Sequence, residues 1–278
     1  MRFGVGCKMT FDKVKGRFSA AAIGAGAAVL FSGAPALAAT ATVGDLARAC
    51  TGDADTCGAV FQIDGNEVGR VGFSVDPKTG AFTVGSQTFQ SQGATWTLNS
   101  ASGNVDPFVL FSFGATNTSL LPKTYSAAFS LPISLTGEVD ASARVSYSLT
   151  AGSNPAAIGA TLFPTSGTGK VVDSQDIRFS PFDSKDKGVD VGDVFSVAEG
   201  TTGSSPIFAA TNSLVLTGSP YTLMSVIVAF GLTPDSAAGL SGEVVQIPIP
   251  EPGTWALMLV GLVGLGAIAR RAAASQGG

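Results

Sequence analysis

From Arg144 to Thr150 the chain reads Arg-Val-Ser-Tyr-Ser-Leu-Thr, with polar and apolar residues in strict alternation. Successive side chains of a strand point to opposite faces, so this pattern predicts one wet face and one buried face. Wound into a helix, the same residues would put Tyr147 on the side opposite Val145 and Leu149. Strands are expected also at Ala59–Ile63, Gly69–Val75, Ala81–Phe89, Ala94–Leu98, Phe108–Phe113 and Thr124–Leu131. Further candidates are Ile158–Phe163, Lys170–Asp173, Asp176–Phe179, Val194–Val197, Ser213–Thr217, Tyr221–Leu232 and Glu243–Ile247. Turn-forming clusters divide them: Asp76-Pro77-Lys78-Thr79-Gly80, Ser153-Asn154-Pro155, Thr165 to Gly169, and Gly218-Ser219-Pro220. Many short strands at spacings of about 8–15 residues point to an all-β, antiparallel β-sandwich. Helix signals are few. One short turn is expected from Thr42 to Ala49, with disorder as the alternative so near the mature N-terminus. No repeat of 20 to 50 residues is visible, which argues against a propeller or solenoid.

Both ends depart from this pattern. Arg2, Lys8, Lys13, Lys15 and Arg17 make a basic leader, followed by an apolar stretch from Ala20 to Phe31. Ala36-Leu37-Ala38 then offers small residues around a cleavage point, so residues 1–38 read as a secretory signal peptide cut after Ala38, or after Ala39. An uncleaved N-terminal anchor is the alternative. At the other end, Ile249-Pro250-Glu251-Pro252-Gly253-Thr254 leads into an uncharged run from Trp255 to Ala269, closed by Arg270-Arg271. Fifteen helical residues span roughly 22 Å at about 1.5 Å each. That is short against a hydrocarbon core of about 30 Å, but the flanking residues and snorkelling arginines close most of the gap. Trp255 sits where an interfacial aromatic belongs, and the arginines mark the cytoplasmic side. Gly261, Gly264 and Gly266 do not form Gly-x-x-x-Gly, so no dimerising face is indicated. A buried helix of a soluble domain is the alternative, disfavoured by apolar residues on every face.

Pro250-Glu251-Pro252, Trp255-Ala256-Leu257-Met258-Leu259, the three glycines and Arg270-Arg271 together resemble the PEP-CTERM sorting signal of Gram-negative bacteria. The resemblance covers about a tenth of the chain. It implies export to the envelope and processing by an exosortase, a membrane protease-transferase, after the tail has anchored in the inner membrane. The residues after Arg271, 272–278, depart from signals that end soon after the basic cluster and read as a disordered tail. The stretch from Trp96 to about Phe129 is loosely similar to the β-sandwich domains of such exported proteins, which raises the expectation of a sandwich and says nothing of activity.

Residues 39–248 are therefore expected to form a single sandwich domain of about 210 residues, enough for a sizeable core. From Ala39 to Pro250 the chain carries nine basic and eighteen acidic residues, a net charge of −9. Such a surface does not suit nucleic acid. It is also repelled by anionic lipid, so the tail and not the domain surface must hold the protein at a membrane. Cys50 and Cys57 remain after the leader and its Cys7 are removed. Export and close spacing favour a disulfide between them, stabilising by roughly 2–3 kcal/mol through loop closure. Two free thiols or a metal pair are the alternatives.

The chain has no histidine. Ser-His-Asp hydrolysis, Cys-His proteolysis and His-ligated zinc chemistry are thereby excluded. The four glutamates of the domain, Glu67, Glu138, Glu199 and Glu243, stand alone in sequence, which gives little support to a carboxylate-pair glycosidase. No glycine-rich phosphate loop precedes a helix. Asp183, Asp186, Asp190 and Asp193 fall within eleven residues and are weak calcium candidates. Lys185 and Lys187 are interleaved with them, so a solvated turn, with Asp193 opening a strand, is the expected reading. Trp96, Tyr125, Tyr147 and Tyr221 all fall in strand runs and are expected to pack in the core, not to stack on sugars. No flat ladder of Thr-x-Thr triplets is visible. The chain is thus expected to be an exported, non-catalytic surface or matrix protein without a cofactor. Its partners would be an exosortase-type enzyme, the membrane through its tail, and exopolysaccharide. A carbohydrate- or calcium-dependent adhesion module is the second reading, and a secreted glycan-active enzyme the third.

Overall fold

The computed structural model describes residues 43–50, 57–105, 107–152, 159–178, 188–249 and 262–263. Among the described residues one short helix, α1 (Val43–Ala49), precedes thirteen strands. These are β1 (Gly58–Ile63), β2 (Asn66–Gly72), β3 (Ala81–Val84), β4 (Gln87–Ser91), β5 (Ala94–Asn104), β6 (Phe108–Asn117) and β7 (Lys123–Ala151), followed by β8 (Ala160–Pro164), β9 (Val172–Arg178), β10 (Phe195–Val197), β11 (Thr202–Ser204), β12 (Phe208–Leu232) and β13 (Ser236–Ile249). All their pairings are antiparallel.

The strands form a sandwich of two layers. In the first, β2, β1, the first half of β7 and the second half of β12 lie side by side, with β9 and β8 along the far edge of β12 and β10 beyond β8. In the second, β3 and β4 flank β5, then come β6, β13 and the second half of β7, with β11 and the first half of β12 along its other edge. Because β7 and β12 belong to both layers, hydrogen bonding runs through all thirteen strands as one network.

This architecture corrects the expectation of many short strands. Thr124–Leu131 and Arg144–Thr150 are parts of one 29-residue strand, and Ser213–Thr217 and Tyr221–Leu232 are parts of one 25-residue strand. The Gly218-Ser219-Pro220 cluster does not reverse the chain. Regular pairing runs from Phe208↔Val145 to Leu216↔Gly137, breaks, and becomes regular again from Leu223↔Pro132 to Leu232↔Lys123. Gly137 has φ of 80°, a conformation a side chain resists. Residues 217–220 fall in the gap between the two ladders. They form a corner at which a paired ribbon folds from one sheet into the other. Elsewhere, Ala81–Phe89 divides into β3 and β4, and β2 begins and ends three residues earlier than Gly69–Val75. Lys170–Asp173 and Asp176–Phe179 fuse in β9, Glu243–Ile247 extends to all of β13, and β11 is an addition.

The ribbon buries one face throughout. On β7 the odd residues Tyr125 to Leu135 are buried, and so are the odd residues Val139 to Ala151. Parity survives the corner because the inner faces of both sheets are one face of the folded ribbon. On β5 parity changes instead. Trp96 and Leu98 are buried, then Ala101 and Val105, and Asn99 is the extra residue between Leu98↔Phe113 and Ser100↔Ser112. This bulge returns the second half of the strand to the core. The centre of the core is aromatic. Trp96 stacks on Phe113 at 4.9 Å and lies 5.3 Å from Phe230, which stacks on Tyr125 at 5.4 Å. Phe73 stacks on Phe82 at 4.4 Å. Trp96, Tyr125 and Tyr147 are buried, as expected; the side chain of Tyr221 lies outside the described residues.

Candidate functional site

The last strand leads straight into the C-terminal motif. β13 pairs with β6 as far as Val245↔Phe108 and with β7 as far as Ile249↔Glu138. Pro250 follows directly, so no linker separates the sandwich from the Pro-Glu-Pro sequence. Pro250, Glu251, Pro252, Trp255, Arg270 and Arg271 lie outside the described residues, as do Ala36 and Ala38 of the leader. Leu262 and Val263 are helical and exposed. Among the described residues no helix is long and apolar enough to cross a membrane.

Cys50 and Cys57 are bonded, with Cα atoms 5.0 Å apart. The bridge ties the end of α1 to the start of β1, and both cysteines belong to the core.

The acidic segment is only partly described. Asp183 and Asp186 lie outside the described residues. Asp193 is exposed and accepts a 2.6 Å bond from the Lys170 ammonium, while Asp190 accepts the backbone N–H of Ser174 at 3.2 Å. Asp193 stands two residues before β10, close to its expected place at a strand entrance. Among the described residues no three Asp, Glu, His or Cys side chains converge as a metal cluster.

The outer face of the second sheet holds a depression of about 500 Å³. Its floor is built by register. Ser112 of β6 pairs with Ser241 of β13, and Ser241 pairs with Ser146 of β7; Ser148 of β7 pairs with Ser204 of β11. Asn99, pushed outward by the bulge, donates to the Ser112 hydroxyl at 3.4 Å. Ile207, 70 % exposed, stands at the rim. Below the depression Arg144 pairs with Glu243, so this glutamate has a cation partner. A second hydroxyl row runs beside the first, in which Thr95, Thr116, Thr150 and Thr202 take the same level on neighbouring strands, interrupted by Ala237. The outward alternation of Ser146 and Ser148 is legible in sequence. The rows are not, because their members come from strands far apart in the chain.

The Asp64 charge acts on Tyr125 near the start of β7. Burial works to raise the Asp64 carboxyl. The Lys123 ammonium at 2.7 Å and the Thr124 N–H and hydroxyl outweigh it, so the group is held below the usual carboxylate range. Burial, with the nearby Asp64 charge, pushes the Tyr125 phenol up, and its hydroxyl donates to the Thr116 carbonyl at 2.7 Å.

Comparison with known proteins adds one specific match. Among solved structures, 61 % of the chain overlaps the enzymatically active domain of tailspike protein 4 of bacteriophage CBA120, at 11 % identity and a TM-score of 0.25, and the overlap spans 19 % of that chain. The xylan-binding domain CBM22-1 of Paenibacillus barcinonensis Xyn10C overlaps 60 % of the chain and 88 % of its own, at 13 % identity and a TM-score of 0.19. Neither likeness is close enough to bear on function. No curated protein matches the sequence. Residues 248–272 match the family model of the PEP-CTERM protein-sorting motif. The match begins inside β13, and it implies that this chain is an exported protein sorted at the membrane through a PEP-CTERM motif.

Proposed function

We propose that the protein is delivered across the inner membrane by residues 1–38, held there by residues 249–271, and processed at Pro250-Glu251-Pro252 by an exosortase-type enzyme. It then works at the cell surface or in the extracellular matrix as a non-catalytic structural or interaction module formed by residues 39–248. The observation that carries this reading is the sorting motif joined without a linker to the last strand. Pro250 and Pro252 fix φ and bias their predecessors away from helix, which suits a motif that a protease must bind in extended form. The lack of histidine and the pairing of Glu243 with Arg144 support a non-catalytic domain. Replacing Pro250-Glu251-Pro252 by three alanines should leave membrane insertion intact and block removal of the tail in a host that has the enzyme. Trimming at the original rate would reduce the motif to a spacer.

The depression on the outer sheet face favours one second reading, contact with exopolysaccharide. Hydroxyl and amide side chains offer both donors and acceptors to a neutral sugar chain, and the neighbouring charges Arg144 and Glu243 engage each other. Affinity electrophoresis in gels containing the host's exopolysaccharide tests this. S146Y, which fills the floor, should abolish retardation. Equal retardation of both proteins would remove the depression from consideration.

A further inference from the structure

The β6–β7 connection places two adjacent, strongly exposed leucines side by side, Leu120 at 84 % and Leu121 at 69 %. The backbone beneath them is fixed by hydrogen bonds. Asn117, fully buried, donates through Nδ2 to the carbonyls of Leu121 (2.9 Å), Leu232 (3.0 Å) and Thr233 (3.1 Å). Its Oδ1 accepts the Ser119 N–H at 3.0 Å and the Ser119 hydroxyl at 2.7 Å. Ser119 Oγ reaches the Leu121 carbonyl at 2.7 Å and lies 3.4 Å from the Leu121 N–H. Thr118 anchors the other flank through its N–H and hydroxyl, both donated to the Gly93 carbonyl. Pro122 has no N–H to satisfy.

We propose that this tip is a shallow membrane-inserting element whose ligand is an uncharged or zwitterionic lipid surface. Three observations select lipid over a protein socket. First, backbone polar groups that enter hydrocarbon must be satisfied internally, and the bonds above do this for the Ser119 N–H and for the N–H and carbonyl of Leu121. Second, Thr118 to Pro122 carry no charge, and the next residue, Lys123, is 11 % exposed and spent on Asp64. Third, Asp235 at this end disfavours anionic headgroups, as does the net charge of −9 between Ala39 and Pro250. The tip's position sets which bilayer it meets. Asn117 pairs with Ser236, the first residue of β13, whereas the chain leaves toward the tail from Ile249, the last. Fourteen residues of strand separate the two points by roughly 40 Å, at about 3.3 Å per residue. A molecule anchored by its tail therefore presents the leucines to a second membrane, or to any membrane once the tail has been removed. The first of these alternatives rests on the tail-anchored reading above.

The test uses the full chain reconstituted in phosphatidylcholine vesicles, with the sandwich outside, and protein-free labelled acceptor vesicles. Resistance to alkaline extraction first reports whether the tail is inserted. Acceptors of phosphatidylcholine should then co-float with the donors, and phosphatidylglycerol acceptors should do so less. L120S/L121S changes only exposed side chains and should lower recruitment by at least about tenfold, since each leucine contributes roughly that factor or more when fully removed from water. L110S, on the sheet face, should recruit as the parent does. An environment-sensitive dye on L120C should shift to the blue on added phosphatidylcholine whether or not the tail inserts. Inserted chains that recruit no phosphatidylcholine acceptors, or an L120S/L121S protein as active as the parent, would overturn the proposal. Recruitment only of acceptors that themselves carry the protein would assign the tip to a second copy of the chain and overturn it equally. A tail that extracts, with the dye still shifting, would defeat the anchored reading and leave the tip's lipid contact standing.

Discussion

Replacing Asn117 by alanine should be among the most damaging single changes to the sandwich. The side chain is fully buried where β6, the β6–β7 connection and the turn after β12 meet. It receives or supplies five contacts between 2.7 and 3.1 Å. Alanine removes them all and leaves the Leu232 carbonyl, in a buried setting, without this donor. A net contribution of about 1 kcal/mol per bond would give about 5 kcal/mol. Nδ2 has two hydrogens for three carbonyls, and Ser119 and Leu121 are near water, so about 3–4 kcal/mol is the better expectation. For a domain of this size that corresponds to a fall in Tm of roughly 6–16 °C, at about 2–4 °C per kcal/mol. Urea unfolding of the disulfide-intact protein, followed by the fluorescence of the buried Trp96, gives the value directly. Asn117→Asp is the sharper control. It keeps the shape but turns a carboxylate on three carbonyl oxygens, and should cost at least as much as alanine at pH 7. A loss below about 1 kcal/mol for Asn117→Ala, or an unperturbed Asn117→Asp protein, would refute the view that this side chain clamps the connection.

Gly103→Ala should destabilise by about 1–3 kcal/mol in the same assay, because a Cβ there would lie 2.2 Å from the Phe108 carbonyl oxygen and 2.6 Å from the Phe82 ring. Thiol labelling of the unreduced mature protein should give no adduct on Cys50 or Cys57, and replacing both by serine should cost roughly 2–3 kcal/mol. Asp64 has a lowered pKa in the fold, so its stabilisation is complete above the unfolded value of about 3.9 and fades as pH falls through the folded one. The Tm difference between the parent and D64N should accordingly be largest above about pH 5 and shrink as pH falls below about 4; a difference that grows on acidification would reverse the assignment.

Local pattern made much of this protein legible before any contact was known. Alternation from Arg144 to Thr150 places Val145, Tyr147 and Leu149 inward, and they are buried. The close cysteines pair. Pro250-Glu251-Pro252 and the apolar run behind it are read in linear order, which is why a 25-residue family match and a direct reading of the residues agree. Each of these signals is complete within a dozen or so neighbouring residues, where side-chain period, loop closure or segment length suffices.

What the sequence alone determined, then, is the strand-rich class, the inward face of Arg144–Thr150 and the address at the C-terminus. Tertiary structure decided the rest. Gly218-Ser219-Pro220 has the chemistry of a reversing turn, yet the chain continues through it, because β7 runs alongside on both sides of the gap and turns the corner with it. The hydroxyl depression exists only because Ser112, Ser146 and Ser241 fall in register across three strands that are distant in the chain. The backbone beneath the leucine tip is fixed because Asn117 reaches carbonyls 115 and 116 residues away. Such arrangements depend on which strands meet and at what offset. That choice is set by the summed burial of two sheet faces, and no local window of the sequence carries it.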